Sequence, residues 1–233
     1  TNLLGDTIKD IATEKAGIIK NKTPVIIGRR QKETISIFKN TSKRKNAILI
    51  YASPKKDYAS DLKGEYQKEN INTVITAIKQ LQKQKWEITE DNIKHGLLKT
   101  VANTKLLGRW QTLSKNPQTI CDTAHNEDGI KEIAKQLRNL KHKQLHIVFG
   151  TVNDKNLDTI LSYLPQDAKY YFCNANVARA MNAENLKQKA AKYKLNGKTF
   201  TSVGEALKCA EEDANAGDLI FIGGSTFVVA EVV

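Results

Sequence analysis

The sequence has few of the residues that mark secreted scaffolds, disordered chains or membrane proteins. Its 233 residues include four prolines and three cysteines, Cys121, Cys173 and Cys209. An odd number of cysteines with no Cys-x-x-Cys pair excludes a disulfide framework and a zinc knuckle, and we expect buried, reduced thiols. No apolar run reaches the roughly 18 to 20 residues of a membrane span, and the first residues do not resemble a signal peptide. We therefore predict a soluble, cytoplasmic, globular protein with no membrane partner.

Methionine is also scarce. Met181 is the sole methionine, and the chain starts at Thr1. We expect the chain to be part of a longer one, in which an activity can depend on residues upstream of Thr1.

The charge of the chain is strongly positive. There are 37 Lys and Arg residues against 25 Asp and Glu, a formal net charge of +12, and most of the excess lies in residues 1–106. Such an excess fits a nucleic-acid surface, a site for polyanionic small molecules, or solvated lysine-rich helix faces. No aromatic residue interrupts the run Lys43-Arg44-Lys45, and Arg is rare beside Lys. This pattern favours a solvated face and no nucleic-acid partner.

The hydrophobic pattern predicts an α/β protein in two parts. In residues 1–106, two β-rich runs near 24–28 and 47–51 flank a helical stretch, and amphipathic helices are predicted at 65–84 and 88–101. In residues 107–233 the alternation is regular, with strands near 118–122, 144–149, 169–173, 199–202 and 218–222 and helices near 127–140, 155–163, 183–195 and 204–213. This alternation is typical of a Rossmann-like, doubly wound parallel sheet. We predict a domain boundary at residues 106 and 107.

Ligands of an open parallel sheet bind beyond the carboxyl ends of its strands, so the residues that follow each strand are the candidates. Asp122 and His125 share one strand-to-helix turn, where they could bind a nucleotide or cap the helix. Gly150 and Lys155 bracket a second turn, which suits phosphate or a generic connection. Gly223-Gly224-Ser225 permits close backbone approach or a tight turn. Arg109, beside Trp110, could bind phosphate or stack on the indole.

Two nucleotide-binding motifs are absent. Gly197-Lys198-Thr199 looks like the end of a P-loop, but Lys192 stands where that pattern needs glycine. No Gly-x-Gly-x-x-Gly follows any predicted strand, which disfavours a nicotinamide dehydrogenase.

Several segments, in their order along the chain, resemble the folylpolyglutamate synthase and dihydrofolate synthase family of the Mur ligase superfamily. The two most specific are Glu14-Lys15-Ala16-Gly17-Ile18 and Asp122-Thr123-Ala124-His125-Asn126. The others are the run 62–70, Gly108-Arg109-Trp110-Gln111, Phe149-Gly150 with Asp154-Lys155, Arg179-Ala180-Met181 and Gly224-Ser225. The resemblance covers nearly the whole chain.

The resemblance implies an ATP-dependent amide ligase. The enzyme would join L-glutamate to folate or dihydropteroate through an acyl phosphate, using ATP and Mg²⁺, in the cytoplasm. Residues 1–106 would be the C-terminal part of the central ATPase domain, and residues 107–233 would be the C-terminal domain. A monomer is expected for the intact enzyme, although the sequence does not determine the oligomeric state.

The resemblance also assigns roles to six residues. Lys15 would be carbamylated and would serve a metal site, and His125 would act near the reacting phosphate. The ATP-binding residues would be Arg109, Asp122, His125 and Lys155, and Ser225 would bind substrate.

The family's Gly-rich loop, its metal-binding acidic residue and a His expected before Thr1 are missing from this sequence. We therefore expect the 233-residue chain to be a fragment without ligase turnover of its own. The alternative is a non-catalytic nucleotide-binding α/β module.

Overall fold

The computed structural model describes residues 7–53, 57–153 and 157–233. The chain forms two compact units. The first comprises Thr1–Ser60 and Tyr66–Lys99, and the second comprises Asp61–Glu65 and Thr100–Val233. The predicted division of family domains at residues 106 and 107 stays a prediction.

The first unit contains a β-α-β pattern, as its sequence predicts. Its elements are α1 (Ile8–Ala16), β1 (Val25–Ile27), α2 (Ile35–Arg44), β2 (Leu49–Tyr51), α3 (Gln67–Lys83) and α4 (Glu90–Leu98). Helix α1 begins at a capping box, in which the Thr7 hydroxyl accepts from the Asp10 amide and the Asp10 carboxylate accepts from the Thr7 amide, both at 3.1 Å. Reciprocal capping satisfies two helix-terminal amides, which fixes the start of α1. Strands β1 and β2 pair in parallel.

The second unit is a mixed α/β structure around a six-stranded sheet. Its elements are α5 (Thr100–Thr104), β3 (Gln111–Lys115), β4 (Gln118–Cys121), α6 (Glu127–Asn139), β5 (Leu145–Phe149), α7 (Leu157–Tyr163), β6 (Lys169–Cys173), α8 (Ala183–Ala191), β7 (Gly197–Phe200), α9 (Val203–Asp213), β8 (Leu219–Gly223) and α10 (Thr226–Ala230). The strand order is β3-β4-β8-β5-β6-β7, and every neighbouring pair is parallel except β3 with β4. This confirms the predicted fold class; the antiparallel edge strand β3 was not predicted.

The core lies where helices cover both faces of this sheet. Strands β5 and β8 are buried along their whole length. Crossovers between parallel strands are right-handed, so α6, α7 and α8 lie on one face and α9, which returns the chain to β8, lies on the other. Val203 and Ala206 of α9 form one buried cluster with Val228 and Val229 of α10. The chain thus leaves β4 and β5 toward one face and leaves β8 toward the opposite face.

A buried polar network crosses the sheet near the amino ends of its strands. The His146 ring is fully buried, with Nδ1 2.9 Å from the Tyr171 hydroxyl and Nε2 3.3 Å from Asp218 Oδ2. The Tyr171 hydroxyl donates to Asp213 Oδ2 at 2.9 Å, and Lys198 Nζ donates to the same oxygen at 3.1 Å. Burial lowers the pKa of His146, although Asp218 opposes that shift. These residues tie β5, β6, β7 and α9 together.

Two features of composition can be checked directly. Cys121 and Cys173 are buried free thiols, as expected, whereas Cys209 is only partly buried. Among the described residues, no helix is long and apolar enough to cross a membrane.

Candidate active site

The carboxyl edge of the second unit brings together the turns after β4, β5 and β8. Cys121 pairs with Ile222, and the next residue, Asp122, donates its backbone amide to the Ile222 carbonyl at 3.1 Å. The Gly150 amide lies 3.3 Å from the Gly223 carbonyl, which joins the β5 and β8 turns. Because β8 leaves to the face opposite its neighbours, this edge is the crevice where open α/β sheets bind ligands.

Asp122 organises the first of these turns. Its side chain is 1% exposed, and Oδ2 accepts from the Trp110 amide at 2.7 Å while Oδ1 accepts from the Ala124 amide at 2.8 Å. Backbone donors to a carboxylate are charge-assisted bonds, about twice as strong as neutral ones. Asp122 therefore fixes both the loop before β3 and the turn after β4.

Arg109 is held at this edge by the residues on either side of it. The Gly108 carbonyl accepts from the Thr123 amide at 2.9 Å, and the Trp110 amide donates to Asp122. Gly108 and Trp110 both have positive φ, +69° and +49°. The buried Trp110 indole anchors the loop, whereas Arg109 is exposed. A guanidinium is thus presented beside the β4 turn by a backbone with little freedom.

Asp122 is followed by two further candidate groups, the hydroxyl of Thr123 and the ring of His125. The exposed ring of His125 has its Nδ1 3.0 Å from the Thr123 carbonyl. A carbonyl only accepts, so Nδ1 carries the proton and Nε2 of the neutral ring is left as an acceptor. Within the described residues, Thr123 Oγ1 is buried without a hydrogen-bond partner. Buried hydroxyls are normally paired, so Thr123 becomes a candidate for ligand contact that sequence reasoning did not single out.

Glycines line the turns after β5 and β8. A Cβ on Gly150 would lie 2.6 Å from the Cys173 carbonyl oxygen, and one on Gly224 would lie 2.5 Å from a ring carbon of Phe149. Gly224 also has a φ of +95°. Side chains are therefore excluded at two points of the edge, which lets the turns after β5 and β8 pack closely against each other and against Phe149.

Ser225 lies directly behind this glycine pair. It is 3% exposed, and its Oγ accepts from the Phe227 amide at 3.1 Å as the N-cap of α10. Its O–H makes no hydrogen bond to another described residue and can act as a donor. Nearby, the Arg179 guanidinium lies 4.7 Å from the centre of the Phe227 ring, which fixes a second cation at this edge.

The structure thus brings Arg109, Asp122, His125 and Ser225 to one edge of the second unit. Lys155 lies outside the described residues. Lys15 belongs to the first unit, where it is exposed on the rim of a cavity of about 450 Å³ that also involves Ile19, Ile26 and Arg29. The role of each of these residues stays a prediction.

The two buried thiols near this edge are not suited to nucleophilic catalysis. Burial, assisted by the charge of Asp122, raises the pKa of Cys121 to about 12, and burial raises that of Cys173 to about 12. Thiols with such pKa values are not nucleophiles at neutral pH. No three His, Cys, Asp or Glu side chains of the described residues are grouped to bind a metal ion.

Comparison with known proteins identifies related chains. Residues 108–226 match the model of a family described as "Mur ligase, glutamate ligase domain". The chain is 30% identical over 247 residues to the dihydrofolate synthase/folylpolyglutamate synthase of Escherichia coli (strain K12). The alignment takes in 100% of this chain and 56% of that protein, so the chain spans little more than half the length of this relative.

Solved structures show the same relationship. A structure of E. coli FolC in complex with DHPP and ADP superposes with a TM-score of 0.83 at 26% identity, over 100% of this chain and 57% of that one. The bifunctional folylpolyglutamate synthase/dihydrofolate synthase of Yersinia pestis, solved with AMPPNP and Mn ion, has a TM-score of 0.79 at 21% identity, over 100% of this chain and 57% of that one. The latter likeness shows the fold alone.

Proposed function

The chain belongs to the Mur ligase family, whose glutamate ligase domain matches residues 108–226, and we propose that its protein is an ATP-dependent ligase that adds L-glutamate to folate or dihydropteroate. The observation that carries the proposal is the match of the whole chain, in sequence and in fold, to the E. coli dihydrofolate synthase/folylpolyglutamate synthase. In the proposed reaction, a substrate carboxylate attacks the γ-phosphorus of ATP and ADP leaves. The amine of glutamate then displaces phosphate from the acyl phosphate to form the amide.

The edge of the second unit is suited to a nucleotide. The hydroxyl of Thr123, which has no hydrogen-bond partner among the described residues, is a polar group that a ligand at this edge could contact. Arg109 offers a planar guanidinium that matches phosphate oxygens, and His125 offers a ring nitrogen on the turn to which the Arg109 loop is hydrogen-bonded. Positioned cations stabilise the negative charge that spreads over a phosphoryl group during transfer.

Asp122 has a different part in this scheme. Both of its carboxylate oxygens accept hydrogen bonds from backbone amides. The geometry therefore supports a positioning role, in which Asp122 holds the loop of Arg109 and the turn that carries His125. A contact of Asp122 with the ribose stays part of the proposal. Ser225 would donate its O–H to the substrate.

For the metal, the chain offers one candidate group. Carbamylation would turn the Lys15 ammonium into an anion able to ligate a divalent cation, which we take to be Mg²⁺. The described residues contribute no group of three side-chain ligands to such a site. Lys155 would add a further cation near phosphate. We further infer a cytoplasmic protein that acts on small molecules and has no nucleic-acid partner.

The test uses the protein expressed from the complete gene that encodes this chain. It is incubated with ATP, L-glutamate and either dihydropteroate or a reduced folate, and the product is followed by mass spectrometry. We expect glutamate addition that depends on ATP. Arg109→Ala and His125→Ala should lower kcat/KM by about 10²-fold or more, because each removes a group that acts on the transferring phosphoryl.

Matched controls separate a role in the site from general damage. Arg44→Ala and His95→Ala remove the same residue types from exposed positions in the first unit and should leave turnover within about 2-fold. Retained turnover in Arg109→Ala and His125→Ala would remove these two residues from the site. ADP binding without any glutamate addition by the wild-type protein would instead favour the non-catalytic nucleotide-binding module.

A further inference from the structure

A groove next to the candidate active site has a lining that fits an anionic chain. It has a volume of about 300 Å³ and is lined by six residues: Asn153, Met181, Asn185, Gln188, Lys189 and Lys192. Four of them, at positions 185, 188, 189 and 192, recur at the spacing of one helix face, so α8 and its C-cap form one wall. Met181 is buried at 6% exposure, and the other five side chains are exposed.

The lining drawn from the described residues combines Met181 with two cations and three carboxamides and includes no acid. Lys189 and Lys192 are the charged members, and neither makes an ion pair or side-chain hydrogen bond with another described residue. The nearest acid along the helix, Glu184, points elsewhere because it accepts from the Thr199 hydroxyl at 3.0 Å. Unpaired lysines with neighbouring carboxamides suit a ligand that carries both carboxylates and amide bonds.

The groove connects directly to the edge that holds the candidate site. The Asn153 amide lies 3.3 Å from the Arg179 carbonyl, and the Met181 amide donates to the Thr151 carbonyl at 2.8 Å. This pairing fixes the turn after β5 to the segment before α8. Strands β8 and β5 are neighbours about 5 Å apart, so the turn after β5, which carries Asn153, lies next to the β8 turn.

We propose that this groove binds the oligo-γ-glutamyl tail of the substrate as the chain is extended. The inference rests on the proposed function. Each γ-linked glutamate carries one free α-carboxylate and one amide bond, which match the lysines and the carboxamides respectively. Inorganic phosphate shares the negative charge but not the amide bonds, so it should bind more weakly than a γ-glutamyl tripeptide.

The double variant Lys189→Ala/Lys192→Ala of the full-length protein tests the inference. Steady-state kinetics are compared for a folate with one glutamate and for the same folate with three γ-linked glutamates. We expect KM for the triglutamate form to rise about 5-fold, from the loss of two exposed ion pairs, while KM for the monoglutamate form stays within 2-fold. Lys141→Ala/Lys208→Ala, with the same charge change at exposed positions outside the groove, should change neither KM.

A direct titration with free γ-triglutamate, followed by calorimetry with inorganic phosphate as competitor, keeps the groove testable without turnover. Weaker tripeptide binding by the groove variant than by the control variant supports the inference. Equal binding by the two, phosphate competition at matched concentration, or an equal KM change for both folates overturns it. Absence of glutamate addition by the wild-type protein would refute the proposed function, and the titration would still decide the groove.

Discussion

Replacing Asp122 by Asn should destabilise the second unit far more than the isosteric change suggests. Both carboxylate oxygens accept backbone amides, from Trp110 at 2.7 Å and Ala124 at 2.8 Å, at a site that is 1% exposed. Asparagine has one acceptor oxygen, so one of these amides must face an NH₂ donor. An unsatisfied buried group costs about 1–3 kcal/mol, and the remaining bond loses its charge, at roughly 1 kcal/mol. We therefore expect unfolding to become about 2–4 kcal/mol easier.

The change is measurable without any ligand. Guanidinium unfolding followed by circular dichroism gives the free energy of unfolding, and a thermal scan should show Tm lowered by about 5–15 °C. Asp167→Asn is the matched control, since this exposed side chain makes no hydrogen bond with another described residue, and it should stay within about 0.5 kcal/mol.

A loss below about 1 kcal/mol in Asp122→Asn would refute the argument that this carboxylate clamps two amides. If Asp122→Asn loses about 2–4 kcal/mol of stability as expected, nucleotide binding should also be affected. Because Asp122 also holds the loop of Arg109, nucleotide affinity should fall further than stability alone requires when it is measured at a temperature where the variant is folded.

Three other changes test separate parts of the structure. Gly224→Ala forces a side chain on a residue with a φ of +95° and places a Cβ 2.5 Å from Phe149, so unfolding should become about 2–4 kcal/mol easier in guanidinium; unchanged stability would contradict this crowding. Tyr171→Phe removes the hydroxyl between His146 and Asp213 and should lower the free energy of unfolding by about 1–3 kcal/mol in the same assay. Unchanged stability would contradict a role for this hydroxyl in the buried network. Backbone hydrogen bonds, led by that of Asn215, hold the pKa of Asp218 below its usual value, so its stabilising effect is present above about pH 4 and is lost as the pH falls through the folded-state pKa. As the pH falls below about 4, the free energy of unfolding should therefore decrease less in Asp218→Asn than in the wild-type protein. Parallel plots of the free energy of unfolding against pH for the two proteins would exclude this effect.

The central strands could be predicted closely because their burial is visible in the sequence. Strands buried on both faces are rich in apolar residues, and His146 is the one polar side chain in β5 and β8. The runs predicted at 144–149 and 218–222 lie within one residue of Leu145–Phe149 and Leu219–Gly223. The edge strand Gln111–Lys115 is only partly buried and contains one apolar residue, Leu113. Its strand character comes from pairing with β4, which local sequence does not reveal.

The candidate residues followed from their positions, but their contacts did not. The positions of Asp122, His125 and Ser225 directly after predicted strands were enough to predict that they share one edge of the sheet, because the carboxyl ends of parallel strands lie together. The clamp between Asp122 and Trp110 joins residues twelve positions apart through a tertiary turn. The burial of His146 against Tyr171 and Asp218 likewise depends on strand order, which the sequence did not supply.

The place of β8 in the middle of the sheet has a consequence for the order of folding. Its neighbours are β4 and β5, yet Leu219 pairs with Gln118, about 100 residues earlier in the chain. At roughly 5–20 residues per second, the ribosome makes β8 about 5–20 s after β4. During that interval β4 and β5 each have an unpaired edge facing the gap, and such edges recruit other chains. The second unit therefore cannot fold progressively from its amino end, and its sheet closes only when its last strand inserts at the centre.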